Sequence, residues 1–371
     1  MEVIERGVLN AGVPGTSRRW GAWPAVTPLR DGTLLAGYVV GSGKDTDDQV
    51  IELRRSADGG RTWSEPETPF ASVVNGIRGS FKGCPITRLD GDRLIMAALW
   101  VDREAHPGAP LFHPVTEGCL PMAILVADSA DAGRTWSSWR VVPMTPEIGP
   151  PSLTNAILRL PDGRLALSIE TNKPYLDTSP WFQRVAYCWS SDDGATWTPP
   201  RTVVEDPTGR IANWDQRTGV APDGRLVSFT WTYDFRDTAY LDIHRRLSSD
   251  GGATWTDPEA LGFADQAAHP AMLPDGRVVL AWVDRFGSGA IKARLSATPD
   301  APFLAATEVI VHQDRPPRRP DERTTGDDLV EMGTWTYGLP YAEALPDGDV
   351  LVVHYAGDSG AVDIRWARLR P

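Results

Sequence analysis

Apolar and polar residues alternate in short runs along most of the 371-residue chain, and glycine, proline and aspartate interrupt those runs at intervals. A period of two predicts β-strands rather than helices. Six of the runs follow an Asp-Gly pair: "RDGTLLAGY" at Asp31, "LDGDRLIMAAL" at Asp90, "PDGRLALSI" at Asp162, "PDGRLVSFTW" at Asp223, "PDGRVVLAW" at Asp275 and "PDGDVLVVHY" at Asp347. Asp-Gly between two alternating runs predicts a tight hairpin, because glycine supplies the positive φ of the turn. A second phrase, SxDxGxTW, occurs at Ser56–Trp63, Ser129–Trp136, Ser190–Trp197 and Ser248–Trp255, the tryptophans being 73, 61 and 58 residues apart (136−63, 197−136, 255−197). That period is one supersecondary unit.

Each unit reads as an Asp-Gly hairpin, a third strand, the SxDxGxTW turn and a last strand. Four antiparallel strands repeated six times predict an all-β fold, a six-bladed β-propeller formed by residues 1–371 as a single domain. The sixth unit ends at "IRWARLRP", so "MEVIERGVL" is expected to supply its outer strand and close the ring, leaving no open sheet edge. In the repeated turn, serine and aspartate are expected to accept amide hydrogens, glycine to take the positive φ, and tryptophan to pack between sheets.

Hydrophobic residues form 41% of the chain and charged residues 23%, the balance of a folded protein with an ample core. A net charge of −12 argues against nucleic-acid or anionic-membrane partners, which require a basic stripe. Cys84, Cys119 and Cys188 lack CxxC spacing, and no histidine pair has ligand spacing, so no disulfide, metal or cofactor is expected. The acidic start "MEVIERG" and the lack of a long apolar run predict a cytoplasmic location.

In a propeller the first strand of each blade leads into the central channel, so the residues six and eight positions before each Asp-Gly aspartate are candidates for one pocket. They are Ala25 and Trp23, Cys84 and Lys82, Ala156 and Thr154, Arg217 and Asp215, His269 and Ala267, Tyr341 and Leu339. Lys82, Asp215, Arg217, His269 and Tyr341 make this set polar, and Trp23 adds an aromatic face of the kind that stacks on sugars. Glu170 in "SIETNKPY" is a further candidate to border the pocket. Two long interruptions, residues 103–121 and 312–333, exceed ordinary loop lengths and are expected to wall it.

The four SxDxGxTW turns and six Asp-Gly units together resemble the Asp-box (BNR) repeats of the sialidase (neuraminidase) superfamily over nearly the whole chain. The resemblance implies a glycoside hydrolase with an aspartate acid/base, a tyrosine nucleophile beside a carboxylate, and three arginines clamping a carboxylate, a departure from the usual two-carboxylate scheme. Asp45 lies eleven residues before Ser56 (56−45), matching the acid/base. Tyr341 or Tyr337, on one face by strand alternation, matches the tyrosine, and Asp215 its partner. Ala22 and Gly41 stand at two arginine positions, which leaves Arg285 in "WVDRFG" as the remaining blade arginine. The implied activity is an exo-acting, sialidase-like hydrolase for an oligosaccharide that can carry an acidic sugar, with Lys82, Arg217 and Arg285 as its binding cations. Two alternatives stay open: a lyase for a uronic-acid sugar, in which tyrosine and histidine remove a proton, and a non-catalytic glycan-binding propeller. The oligomeric state is open.

Overall fold

In the computed structural model, residues 1–314, 329 and 331–371 are described. Six antiparallel meanders succeed one another among them. Their second strands are Leu34–Gly41, Leu94–Asp102, Leu165–Glu170, Leu226–Asp234, Val278–Asp284 and Val350–Gly357. These strands are buried almost from end to end, because each is covered on both faces.

The period of two sorts their side chains between neighbours. Leu34, Ala36 and Tyr38 pack with Leu351, Val353 and Tyr355, while Leu35 and Val39 pack with Leu94, Met96 and Ala98. The same division continues through Ile95 with Leu167, Ala166 with Leu226, Phe229 with Leu280, and Val279 with Val352. Each apolar cluster therefore joins consecutive units, and one of them joins the sixth unit to the first. The N-terminal strand Glu2–Asn10 lies antiparallel to Val362–Arg370, with Glu2 opposite Arg370, and Trp20 bridges Val362 in parallel.

The four repeated turns share one hydrogen-bond pattern. In the first, Ser56 Oγ donates to Asp58 Oδ1 (2.8 Å) and accepts the Gly60 amide (2.8 Å), and Asp58 accepts the hydroxyl and amide of Thr62 (2.6 and 2.9 Å). Gly60 has φ 92°, a conformation open to glycine, and a Cβ added there would lie 2.9 Å from Leu351 of the sixth unit. Trp63 packs into the cluster shared with that unit, and its indole N–H donates to Gly60 O at 2.9 Å. The turn thus fixes a hairpin and fastens it to a neighbour.

Three of the first strands, Trp20–Pro28, Ile211–Val220 and Tyr337–Ala344, are bent. Trp23 (φ 49°), Asp215 (φ 50°) and Leu339 (φ 44°) each sit at a break in register, and each lies eight residues before its turn aspartate (31−23, 223−215, 347−339). A bulge inserts one residue, bends the strand and re-aims the side chains beyond it. Hydroxyl and amide side chains lace neighbouring first strands: Thr27 to Ile86 O (2.7 Å), Thr87 to Ile157 O (2.6 Å) and Asn155 to Thr218 O (3.1 Å). The Ala342 amide likewise donates to His269 O (3.1 Å).

Candidate functional site

All six units border one cavity of about 240 Å³, through their first strands or the segments next to them. Trp23, Lys82, Thr154, Asp215, Gln266 and Tyr341 represent the six units in its wall. The loop between the second and third strands of the first unit adds Lys44 and Asp45. From the long interruptions come Leu111 and Phe112 on one side and Leu329, Met332 and, just beyond, Trp335 on the other. Most of the second interruption, residues 315–328 and 330, lies outside the described residues.

Asp45 is held on three sides. Oδ1 faces Lys82 Nζ (2.8 Å) and Arg103 Nη2 (2.5 Å), and Oδ2 accepts the Leu111 amide (2.7 Å). Burial alone would raise its pKa, but the charges of Lys82 and Arg103 outweigh that and hold the carboxyl well below the usual range. Lys82 donates as well to Lys44 O (2.8 Å) and Gln49 Oε1 (2.5 Å). An ammonium has three hydrogens and all three are taken. Lys82, expected to bind substrate, is therefore a positioning residue for Asp45: its donors have no capacity left for a ligand.

Across the cavity Asp215 accepts from Gln266 Nε2 and lies 3.2 Å from Arg217, which also donates to Thr154 O. Glu170 does not line the cavity. It is buried in the wall, where its carboxylate oxygen accepts the Gln216 amide at 2.8 Å. Burial, reinforced by the charge of Asp215, raises its pKa far above the usual glutamic value, so it keeps its proton at neutral pH.

Tyr341 presents one edge to the cavity and lies flat on His269, with ring centroids 4.2 Å apart and planes 8° apart. Burial lifts the Tyr341 phenol well above its ordinary value and pushes His269 down to about 3. His269 is thus neutral, with Nδ1 3.0 Å from Asn155 Oδ1, and it buttresses the tyrosine from behind; it does not face the cavity as expected.

The expectation that Tyr337 and Tyr341 share a face is corrected by the bulge at Leu339. Tyr337 pairs with Ala356 and Tyr341 with Val353, four residues on one strand against three on the other, which reverses the alternation. Tyr337 accordingly packs with Val279 and Val352, away from the cavity. Arg285 is also absent from the wall. It is 1% exposed, with its guanidinium 3.8 Å from the Trp335 ring centroid and 4.9 Å from that of Tyr337. Its Nη atoms donate to Tyr337 O (3.1 Å) and Gln266 Oε1 (3.3 Å).

Phe112 and Met332 lie in the two interruptions expected to wall the cavity, whereas Lys44 and Trp335 were not recognisable as site residues from the sequence. Lys44 donates to Met332 O (2.5 Å) and lies 5.3 Å from the Trp335 centroid. Only the position of Lys44 next to Asp45 hinted at this. Of the two positions where the resemblance implies an arginine, Gly41 has a steric reason to lack one, since a Cβ there would meet Gln49 (2.7 Å), Asp48 (3.1 Å) and Thr46 (3.1 Å). The loop carrying Asp45 folds over that position.

No family model matches the chain. A sialidase of Micromonospora viridifaciens is 27% identical over 245 residues, 62% of this chain and 35% of that protein, so this chain spans about a third of the relative's length. Among solved structures, a Dyadobacter fermentans protein of unknown function superposes with a TM-score of 0.72 at 21% identity, covering 98% of this chain and 99% of the other. The intramolecular trans-sialidase of Ruminococcus gnavus, in complex with oseltamivir carboxylate, gives 0.66 at 14% identity, covering 98% and 96%. An α-L-arabinanase of Penicillium chrysogenum, complexed with arabinobiose, gives 0.64 at 15% identity, covering 100% and 99%. The chain is thus similar in sequence to a sialidase and shares its fold with sialidase-like proteins and an arabinanase, an arrangement that is β-propeller-like.

Proposed function

We propose that the six units close as a six-bladed β-propeller and that the chain is an exo-acting glycoside hydrolase of sialidase-like type, working in the cavity that Asp45, Asp215 and Tyr341 share. The convergence of these three residues from separate units, beside the face of Trp23, carries the reading. Walls at Phe112 and Met332 suit a site that admits the end of a glycan rather than its middle.

Asp45, kept ionised by Lys82 and Arg103, holds no proton to give the glycosidic oxygen and is a weak base, so in place of the expected acid/base role it is suited to steady positive charge at the anomeric carbon. Asp215 presents a carboxyl group from the opposite wall, with Glu170 buried behind it and out of reach of the cavity. Tyr341 brings a phenol, held in place by His269, to the reacting sugar. The lyase alternative loses its histidine, because His269 is shielded by Tyr341 and has its pKa pushed down to about 3 by burial.

A glycan-binding role without turnover is favoured by one observation: both Asp45 oxygens already accept hydrogen bonds within the chain. Hydrolysis of a panel of aryl glycosides and short oligosaccharides separates the two readings. Turnover by the wild type, lowered at least about 100-fold in Asp45→Asn, Asp215→Asn and Tyr341→Phe, supports hydrolysis. Wild-type rates in all three variants would exclude this cavity as the active site, and binding without turnover in the wild type supports the second role.

A further inference from the structure

We infer that Trp335 makes this cavity selective for neutral sugars, by covering Arg285, a cation that an acidic substituent would need. The inference rests on the reading of the cavity as a sugar site and adds the class of sugar that it takes.

The protein carries a net charge of −12, yet among the described residues five basic side chains surround the cavity: Lys44, Lys82, Arg103, Arg217 and Arg285. Each already has a partner within the chain. Lys82 spends its three hydrogens on Asp45, Gln49 and Lys44 O. Arg103 is committed to Asp45 and to Ser80 Oγ (2.8 Å), and the charge of Arg217 is answered by Asp215. Arg217 can still donate to a hydroxyl, but as half of an ion pair it offers little net attraction to an anion.

The remaining two cations, Lys44 and Arg285, come from the first and fifth units and converge on the segment that carries Trp335. They donate to the backbone oxygens of Met332 and Tyr337, and both lie against the Trp335 ring, at 5.3 and 3.8 Å from its centroid. The ring, itself 6% exposed, lines the cavity while Arg285 does not. A cation against an aromatic face is stabilised without an anion. A ligand therefore meets indole where a guanidinium would otherwise stand, and Leu111, Phe112, Met332 and Leu339 extend that apolar surface. Among the described residues, a carboxylate entering here would lose its hydration and meet only Lys44, whose charged form is disfavoured by burial and by the charges of Arg285 and Lys82. A neutral ring, with one hydrophobic face and hydroxyls directed at Asp215 and Arg217, is satisfied throughout.

Titration calorimetry on the full chain tests this with matched probes: methyl glucoside and galactoside against their uronic-acid counterparts, arabinobiose, and N-acetylneuraminate. The wild type is expected to bind a neutral member at least about tenfold more tightly than its acidic counterpart. Trp335→Ala should move that ratio at least about tenfold toward the acid, the scale of one new charge-assisted hydrogen bond, and adding Arg285→Met should abolish the shift. Trp335→Phe should keep the wild-type ratio. Tighter binding of a uronate or of N-acetylneuraminate by the wild type overturns the inference while leaving the cavity a sugar site. So does an unchanged ratio in a folded Trp335→Ala. Should that variant not fold, the wild-type ratio decides alone. Binding of no probe by the wild type or by Trp335→Phe defeats the sugar-site reading itself, and the inference with it.

Discussion

Lys82→Met is a direct probe of how the cavity is held together. The lysine side chain is 2% exposed, and its ammonium is the common partner of Asp45, Gln49 Oε1 and Lys44 O. Methionine fills similar volume, so packing is largely kept while three hydrogen bonds and one charge are removed. Removing one member of a buried ion pair costs about 3–5 kcal/mol, and a stranded buried acceptor about 1–3 kcal/mol. These overlap, because Arg103 stays beside Asp45, and a loss of about 3–5 kcal/mol is expected. Asp45→Asn should cost a similar amount by leaving two cations facing each other. In the double variant the mismatch is smaller, so the combined loss should fall short of the sum by about 2 kcal/mol or more. Urea unfolding at pH 7, followed by tryptophan fluorescence, measures all four corners of the cycle. The sign of the pH effect is fixed too: a carboxyl whose folded pKa is depressed contributes stability above its unfolded value that is lost as pH falls, so the coupling should shrink below about pH 4. A Lys82→Met cost under about 1 kcal/mol, or strictly additive costs, would refute the positioning role.

Two further outcomes follow from local geometry. Ser56→Ala removes the acceptor of the buried Gly60 amide and should cost about 1–3 kcal/mol in the same unfolding assay; a cost near zero would show that the repeated turn is held by its backbone alone. Glu170 has a folded pKa far above its unfolded one, so its contribution to stability is present at low pH and lost as pH rises past about 4.5. Glu170→Gln should remove about one proton's worth of that slope, about 1.4 kcal/mol per pH unit, between pH 5 and 7, and an unaltered slope there argues that Glu170 is ionised in the folded chain.

The hairpins and the repeated turns were legible because their signals are local: Asp-Gly fixes a turn whatever surrounds it, and Ser56, Asp58 and Gly60 bond to one another. Counting back from each turn aspartate also found Trp23, Lys82, Asp215, Arg217 and Tyr341, which the structure brings to one cavity. Counting failed where strands bulge, since an extra residue at Leu339 leaves Tyr337 pointing elsewhere and no composition signal announces it. Nor can spacing show which donors are already spent. Lys82 looked available and is saturated, Arg285 looked like a clamp and is covered by an indole, and His269 supports a tyrosine from behind. Lys44 and Trp335 belong to loops that meet only in three dimensions.

The partnership between Glu2–Asn10 and Val362–Arg370 bears on how the molecule is made. During synthesis the first strand emerges with one side unmatched and waits for a companion encoded about 350 residues later. Closing so distant a contact is slow, and until it forms the strand is an adhesive edge for other nascent chains. Yield on expression should therefore depend on this strand more than its modest burial suggests.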